Sequence, residues 1–297
     1  MRNLFLLCTL LAFNMGLSSE ESFIDASPGH FITVPVTNMY QQPDPESEVV
    51  SQAFFSERIL PIASHNDWVQ IETTVDQYRG WVPKGTFCER ATALAAGECV
   101  TVNRLAAHLY RQADTTRGLL MTLPFESRLV VREAKNERWL TVVLPDGCTA
   151  YIQRGDVVRS PTPIDREAIC SFSQRFLGLP YTWGGRSSFG YDCSGFVQML
   201  YRQMGYQIPR DSKDQLRWEG FTEVPLGRHQ AGDLIFFGLS KTEIRHVGMS
   251  IGGDEFIHAT VSENAPYIHI SHLSDREWGQ GGSWPYRCAR TLATHRS

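Results

Sequence analysis

The sequence has no excess of positive charge. Its 297 residues include 28 lysines and arginines against 32 aspartates and glutamates, a formal net charge of -4 at pH 7. Proteins that hold nucleic acid present clustered basic residues, and this composition provides no broad basic surface. We therefore expect no nucleic-acid partner. The chain is too long for one small core, and its length predicts two or three compact domains.

Apolar runs long enough to span a membrane are also absent. The run near the start, Leu4 to Phe13, is too short to cross a bilayer as a stable helix. It follows Arg2 and precedes the small residues Gly16 and Ser18, an order that is typical of a secretory signal. We assign residues 1–18 to a signal peptide, with a buried N-terminal strand or helix as the alternative. The predicted protein is exported to the periplasm or cell wall, without stable membrane insertion.

Cysteine pairs at metal-binding spacing are missing as well. Cys8 lies in the apolar run and is expected to be removed with the signal peptide. The other cysteines contain no CxxC pair, and their spacings repeat no compact disulfide framework. Neither a metal site nor a disulfide scaffold is therefore indicated, and we predict no cofactor. These cysteines are Cys88, Cys99, Cys148, Cys170, Cys193 and Cys288.

An internal repeat with an offset of about 70 residues occupies the first half of the chain. The sequence FSERI from Phe55 corresponds to FESRL from Phe125. Both copies consist of short alternating runs separated by turn-rich stretches, which is typical of small all-β domains. We predict two β-barrels, one over residues 22–90 and one over residues 98–160.

The pattern changes after a proline-rich boundary at residues 159–167. From Asp165, an expected N-cap, apolar residues recur at helical spacing as far as Gly178, and a second helix is predicted from Cys193 to Met204. Four strand-like runs then follow, namely GDLIFFG, HVGMSIG, EFIHATV and YIHISHL. Helices followed by antiparallel strands indicate an α+β domain over residues 165–297.

The second predicted helix begins at a cysteine. Asp192 is a good N-cap, so Cys193 falls in the first turn, where unpaired backbone N–H groups and the helix dipole favour an anion. We therefore interpret Cys193 as a thiol placed for ionisation. The alternative is a buried structural cysteine, which is the more common role of a free cysteine.

An activated cysteine needs a base, and the stretch RHVGMSIGGDEFIHAT supplies two histidines on one predicted hairpin. Side chains alternate along strands, so His246 and His258 share a face only if the loop between the strands has an odd number of residues. Loops over 251–253 or 252–254 meet this condition and place the histidines opposite each other or one step diagonal. A two-residue turn is expected to place them on opposite faces. His229, His269 and His272 have no such setting and are interpreted as solvated.

These positions predict nucleophilic catalysis. His246 would accept the Cys193 proton, and His258 would bind the other ring nitrogen of His246 and fix its tautomer. The thiolate would attack an amide carbonyl and form a thioester that water then cleaves. The backbone N–H of Cys193 and the hydroxyl of Tyr181 are the candidates for stabilising the oxyanion.

The motifs YTWGG, YDCSGFV, AGDLIFF, HVGMSIGG and FIHAT, in this order, resemble those of the NlpC-type papain-like cell-wall cysteine peptidases over residues 165–290. The two repeats resemble the bacterial SH3-type domains that such enzymes carry. The resemblance implies a papain-like catalytic domain of helices and antiparallel sheet. It also implies the roles of nucleophile, base, orienting residue and aromatic residue near the oxyanion for Cys193, His246, His258 and Tyr181, respectively.

The same resemblance implies a substrate subsite next to the nucleophile. Asp192, Ser194 and the Ser212 of PRDS would line it from the catalytic domain. In the first barrel, Tyr78 of YRGWVP would face the substrate, and Glu48 is a further partner for a substrate amine.

The reaction that the resemblance implies is hydrolysis of peptidoglycan stem peptides between γ-D-glutamate and a diamino acid such as meso-diaminopimelate. Acceptor groups at the site favour released peptides that begin with a free L-alanine. The alternatives are hydrolysis of intact peptidoglycan, a thiol acyltransferase and a non-catalytic wall-binding protein. We expect a monomer whose partners are peptidoglycan or its stem peptides.

Overall fold

The computed structural model describes residues 28–90, 98–134, 137–225, 227–261, 264–279 and 281–293. The predicted signal peptide, residues 1–18 with Cys8, lies outside these ranges. Two seven-stranded sheets and one six-stranded sheet hold nearly all of the strands. Among the residues so described, no helix is long and apolar enough to cross a membrane.

The first repeat folds into an antiparallel sheet of seven strands. In chain order these are β1 (Gly29–Ile32), β2 (Val36–Tyr40), β3 (Val49–Phe54), β4 (Arg58–His65), β5 (Trp68–Thr73), β6 (Arg79–Pro83) and β7 (Phe87–Arg90). They lie side by side in the order β3-β2-β6-β5-β4-β1-β7. Alternation in β5 buries Val69, Ile71 and Thr73 on one face, so the strand covers a small apolar core.

The second repeat has the same topology. Its strands are β8 (Cys99–Val102), β9 (Ala106–Tyr110), β10 (Leu119–Pro124), β11 (Arg128–Glu133), β12 (Trp139–Val143), β13 (Thr149–Gln153) and β14 (Val157–Arg159). Their order, β10-β9-β13-β12-β11-β8-β14, repeats that of the first sheet strand for strand. The repeat detected in the sequence therefore corresponds to two SH3-like domains in tandem.

The third domain combines short helices with an antiparallel sheet. Its elements are α1 (Ile169–Ser173), β15 (Arg186–Ser187), β16 (Gly190–Tyr191), α2 (Cys193–Gln203), α3 (Ser212–Arg217), β17 (Phe221–Val224), β18 (Leu234–Ser240), β19 (Glu243–Gly252), β20 (Glu255–Ala259), β21 (Ile268–His272) and β22 (Tyr286–Leu292). The main sheet has the order β17-β22-β18-β19-β20-β21. Helix α2 buries Phe196, Val197 and Leu200 against this sheet. The predicted α+β class, with papain-like and SH3-like parts, is confirmed.

The first helix of this domain is shorter than the apolar spacing predicts. The carboxylate of Asp165 does accept the N–H of Ala168 at 2.7 Å, but α1 itself begins only at Ile169. After Ser173 the chain tightens into a 3-10 turn and becomes extended at Leu177. Leu177 is therefore 44% exposed instead of contributing to the buried face.

A phenylalanine of each barrel is buried in the neighbouring domain. Phe55, which follows β3, belongs to the apolar core of the second barrel. Phe125 follows β10 at the equivalent position of the repeat and belongs to the core of the third domain. There its ring lies 6.0 Å from that of Phe172 and 5.4 Å from that of Phe176. Each barrel therefore inserts into the domain that comes next in the chain.

The turns beside these phenylalanines carry glutamates that bind buried arginines. Glu57 of the first barrel accepts hydrogen bonds of 2.8 and 2.9 Å from Nη1 of Arg186, in β15. Glu126 of the second barrel accepts bonds of 2.8 and 2.6 Å from Arg202, in α2. Burial raises the pKa of Glu57, and the charge of Arg186 opposes this effect. The two arginines stand on either side of Cys193 in the sequence, so both barrels hold the region of the predicted nucleophile.

Candidate active site

Helix α2 presents Cys193 as its first residue. Oδ1 of Asp192 accepts the N–H of Gly195 at 2.7 Å, so Asp192 is the N-cap that the sequence indicates. Gly195 allows a close approach, because a Cβ there would lie 2.2 Å from the carbonyl oxygen of Gly185. The glycine-rich loop thus lies directly against the helix, while Cys193 keeps part of its surface accessible.

The two histidines of the hairpin contact each other. Nε2 of His246 lies 2.8 Å from Nδ1 of His258, so the side chains share one face of the sheet. The expected loop of three residues is wrong, because β19 ends at Gly252 and β20 begins at Glu255, which leaves a two-residue turn. A register shift between Ser250 and Gly252 inserts one extra residue in β19. This bulge restores the shared face.

Gly248 lacks a side chain and so leaves the space beside His258 free. The register of the hairpin places Gly248 across from His258 and leaves His246 one diagonal step away. A Cβ at position 248 would lie 3.2 Å from Cβ of His258 and 2.8 Å from Cδ2 of Phe256. A larger residue would therefore push against the backbone side of His258.

Trp278 covers the histidines, and no spacing in the sequence relates it to them. Its ring stacks on His246 with the centroids 5.0 Å apart and presents an edge to His258 at the same separation. Burial lowers the pKa of His246 to about 3 and holds that of His258 well below its ordinary value. Both imidazoles are therefore neutral at pH 7.

The thiol is also held in its neutral form. Burial raises the pKa of Cys193 to about 12, and the charge of Asp192 adds to the increase. A hydrogen bond from the backbone of Val247 to the sulfur opposes this shift and places the sulfur beside the residue that follows His246. Burial thus outweighs the helix N-terminus in the resting protein. The ionised thiol that the sequence suggests can form only as the proton moves to the neighbouring base.

The hydrogen bonds continue beyond His258 to two residues on β21. Nε2 of His258 lies 3.0 Å from Oγ of Ser271, which lies 3.1 Å from Nε2 of His269. The interpretation of His269 as merely solvated is corrected here, since its ring is also 4.7 Å from that of His258. Strand alternation in YIHISHL was the available signal, because residues two apart share a face.

A buried arginine that we did not select from the sequence organises the predicted subsite. Nη2 of Arg210 lies 2.6 Å from Oδ2 of Asp192, and its Nη1 lies 3.0 Å from Oδ1. The same Nη1 donates to Oγ of Ser194 at 2.9 Å, and Nε donates to Ser51 of the first barrel at 3.2 Å. Asp192 and Ser194 are therefore brought together, with their oxygens already engaged. Arg210 belongs to the motif PRDS, whose serine was the residue that we selected.

Tyr78 reaches the catalytic domain from the first barrel. Its hydroxyl donates to the carboxylate of Asp211, with distances of 3.2 and 3.3 Å to the two oxygens. Burial and the charge of Asp211 raise the pKa of Tyr78, so the hydroxyl remains protonated. The predicted Ser212 is the next residue and begins α3. Asp211 is a second residue of PRDS that sequence reasoning missed.

Glu48 lies at the exposed edge of the first barrel. The following residue, Val49, packs against Gly184 of the glycine-rich loop, where a Cβ would lie 2.8 Å from a Val49 methyl carbon. The structure therefore places Glu48 near the loop before Cys193 and leaves its carboxylate at the surface.

Tyr181 is partly buried beside the thiol. Its N–H donates to the carbonyl of Pro266 at 2.8 Å, which ties this residue to the segment before β21. Burial raises the pKa of Tyr181, and the charges of Cys193 and Asp192 add to the increase. Such interactions require proximity, so Tyr181 lies near Cys193, and the hydrogen bond from Val247 to the sulfur places the histidine pair in the same region of the domain.

Metal ligands and disulfides do not appear in the described part of the chain. Within those ranges, no group of three or more His, Cys, Asp or Glu side chains is arranged to hold a metal ion. The cysteines that the structure describes are free thiols. What the site does hold is a thiol beside a histidine pair, the arrangement of a papain-like cysteine peptidase.

Comparison with known proteins leads to the same class. The NlpC/P60 family matches residues 178–281, and the bacterial dipeptidyl-peptidase Sh3 domain matches residues 39–86. The chain is 32% identical over 227 residues to a gamma-D-glutamyl-L-lysine dipeptidyl-peptidase from Bacillus subtilis, an alignment that spans 72% of this chain and 73% of the relative. A protein of the same name from Bacillus cereus is 30% identical over 240 residues, spanning 75% and 70%.

A solved structure shares the whole architecture. The crystal structure of an NlpC/P60 family protein from Bacillus cereus ATCC 10987 covers 89% of this chain and 99% of its own, with a TM-score of 0.75 and 24% sequence identity. The chain belongs to the NlpC/P60 family and is a cysteine endopeptidase. The resemblance seen in the motifs is thereby confirmed.

Proposed function

We propose that the chain hydrolyses peptidoglycan stem peptides at the bond between γ-D-glutamate and a diamino acid, with Cys193, His246 and His258 as the triad. The observation that carries this proposal is the 2.8 Å contact between the two histidines, next to a thiol at a helix start. The names of the two Bacillus relatives support the bond type. Both meso-diaminopimelate and L-lysine are candidates for the diamino acid.

The neutral resting pair determines how protons move. As the sulfur of Cys193 attacks the amide carbon, His246 takes the thiol proton and the tetrahedral intermediate forms. His246 then gives this proton to the amine of the diamino acid, the C–N bond breaks and a thioester remains. His246 next takes a proton from water, which attacks the thioester, and the thiol is regenerated when the acid product leaves.

Two groups are proposed to stabilise the oxyanion. The backbone N–H of Cys193 lies at the start of α2, where helix N–H groups have no partner within the helix. The hydroxyl of Tyr181 stays protonated because its pKa is raised, so it can donate. Each such donor typically contributes about 3 kcal/mol to the stability of the transition state.

We further propose that the preferred substrate begins with a free L-alanine. An ammonium group requires a carboxylate with unused acceptor capacity, and Arg210 already engages both oxygens of Asp192. The neighbouring carboxylate of Asp211 is partly exposed and accepts the Tyr78 hydroxyl, and its Oδ2 lies 3.6 Å from Nζ of the exposed Lys213, a long contact that a substrate ammonium would replace. Asp211 and Tyr78 therefore form the recognition site, with Ser212 beside them.

The position of the first barrel supports a short substrate. Val49 packs on Gly184 of the loop before the nucleophile, and Ser51 accepts a hydrogen bond from Arg210. These contacts place the first barrel beside the loop before Cys193, and we propose that the barrel limits the length of peptide that the site accepts. Glu48, the exposed residue before Val49, adds a negative charge that attracts the amine of the substrate.

The test incubates the protein with L-Ala-γ-D-Glu-meso-diaminopimelate and with its L-lysine equivalent, each prepared with a free and with an acetylated N-terminus. Mass spectrometry detects the released dipeptide, which is L-Ala-D-Glu from the free peptides and N-acetyl-L-Ala-D-Glu from the acetylated ones. The acetylated peptides should turn over at least about 10-fold more slowly, since a charge-assisted hydrogen bond is lost. Cys193→Ala should release nothing. Equal turnover of both forms would refute free-amine recognition, and a folded protein that cleaves none of the four would refute the proposed hydrolase. Export, expected from residues 1–18, is tested by cell fractionation.

A further inference from the structure

The catalytic histidines are the first two members of a longer hydrogen-bond chain. Nε2 of His246 contacts Nδ1 of His258 at 2.8 Å, and Nε2 of His258 contacts Oγ of Ser271 at 3.0 Å. Oγ of Ser271 contacts Nε2 of His269 at 3.1 Å, and Nδ1 of His269 contacts the carbonyl oxygen of Tyr267 at 3.1 Å. The chain is continuous from the base to the backbone of the strand segment before β21.

The carbonyl at the end of the chain fixes the direction of every bond in it. A carbonyl oxygen only accepts, so Nδ1 of His269 carries the proton and its Nε2 is the acceptor. Ser271 must then donate to His269 and accept from Nε2–H of His258. This leaves Nδ1 of His258 as an acceptor, so His246 holds its proton on Nε2.

We propose that Ser271 and His269 are positioning residues that set the direction of this hydrogen-bond chain. Their effect is to leave Nδ1 of His246 unprotonated and ready to accept the thiol proton. The inference rests on the proposed function only in assigning His246 as the base. Neither residue contacts the reacting atoms, and no proton passes along the chain during the reaction.

Loss of either residue allows the opposite direction. Without Ser271, Nε2–H of His258 is left buried without its acceptor, and the tautomer with the proton on Nδ1 is favoured. Without His269, the Ser271 hydroxyl loses its acceptor and can donate to His258 instead, with the same result. His246 must then accept at Nε2 and carry its proton on Nδ1, where it cannot act as a base.

Conservative variants separate orientation from structural damage. Ser271→Ala and His269→Ala should each lower kcat about 10-fold or more with little change in KM, since a misdirected general base loses part of its contribution. Ser271→Thr keeps a hydroxyl, and His269→Gln keeps an acceptor oxygen near the position of Nε2, so both should restore most of the activity. His272→Ala, an exposed neighbour on the same strand, is the matched control and should change kcat by less than about 2-fold.

A second measurement needs no turnover. Nitrogen-15 NMR of histidine-labelled full-length protein reports the tautomer of His246, which should be protonated on Nε2 in the natural protein and on Nδ1 in Ser271→Ala. The inference is overturned if the tautomer is the same in both, or if Ser271→Ala and His269→Ala retain full kcat in a protein that is active. If the natural protein cleaves none of the stem peptides while the tautomers change as expected, the proposed function fails and this inference stands.

Discussion

A single methyl group on Gly248 should impair the proposed catalytic base, His246, without contacting it. Gly248 lies across the hairpin from His258, and a Cβ there would be 2.8 Å from Cδ2 of Phe256 and 3.2 Å from Cβ of His258. Carbon atoms in contact are normally about 3.5 to 4.0 Å apart. The Phe256 ring would have to retreat by about 0.7 Å or more, and His258 by a few tenths of an ångström, to restore that separation.

Neither neighbour has space for such a movement. The fully buried ring of Phe256 lies 5.0 Å from that of Phe237 and 5.6 Å from that of Trp278. His258 is held by hydrogen bonds of 2.8 and 3.0 Å at its two nitrogens. Overpacking of this kind costs about 1 to 3 kcal/mol of stability. A displaced orienting histidine should lower kcat of Gly248→Ala about 10- to 100-fold, because small misplacements of catalytic groups are that costly.

The assay compares kcat, KM and the thermal midpoint of Gly248→Ala with those of Gly281→Ala. A Cβ at Gly281 would meet nothing within 4 Å, so this control carries the same chemical change without the clash. We expect a loss of kcat with nearly constant KM for Gly248→Ala, and natural values for the control. Full activity of Gly248→Ala at an unchanged thermal midpoint would show that the close approach of β19 to His258 does not position the base.

Three further predictions concern pH, substrate recognition and domain docking. Burial lowers the pKa of His246 from 6.5 to about 3. The unfolded chain therefore binds the proton first as pH falls, and His246 alone should make stability decline by about 1.4 kcal/mol per pH unit below about 6.5, with His258 adding to the loss; urea unfolding at pH 7.5 and 5.5 checks this, and equal stability would contradict it. Tyr78→Phe removes the donor to Asp211 and should raise KM for the free-amine peptide about 10-fold, with the acetylated peptide unaffected. Glu126→Gln leaves the buried Arg202 without its counter-charge and should destabilise the protein by about 3 kcal/mol in urea unfolding, whereas an unchanged midpoint would show that this pair does not hold the second barrel.

Local sequence patterns predicted the elements that carry the chemistry. The N-cap at Asp192, the helix from Cys193 and the strands of the histidine hairpin all follow from spacing within about a dozen residues, which is the range over which capping and alternation act. The short pair β15 and β16 was missed, as were two strands of the six-stranded sheet, β17 and β22. The latter two are joined to the sheet by pairing with each other and with β18 rather than by strong apolar alternation of their own.

Residues whose roles depend on distant partners were not visible in the same way. Arg210 is important because it contacts Asp192 and the first barrel, and neither contact has a fixed spacing in the chain. Ser271 and His269 become part of the site only because β21 pairs with β20. The expectation of an ionised thiol at Cys193 differs from the structure for a related reason. The sequence shows that Cys193 lies at a helix start, but it does not show how far the surrounding protein buries the thiol and raises its pKa.

The hairpin shows how a correct conclusion can follow from an incomplete geometric rule. Alternation alone requires an odd loop for His246 and His258 to share a face, yet the turn has two residues. The bulge near Gly252 supplies the missing residue within the strand. Glycines at such positions leave open whether the extra residue belongs to the loop or to the strand, and only the pairing register decides.

The tandem repeat contributes more than two copies of a binding module. Equivalent turns place Phe55 in the core of the second barrel and Phe125 in the core of the catalytic domain, so each barrel would expose a large apolar side chain if it stood alone. The glutamates of the same turns pair with Arg186 and Arg202, which precede and follow the proposed nucleophile. Barrels that served only as spacers between domains would leave these turns exposed to solvent. Because they are instead buried around the start of α2, the barrels are part of what holds Cys193 in place.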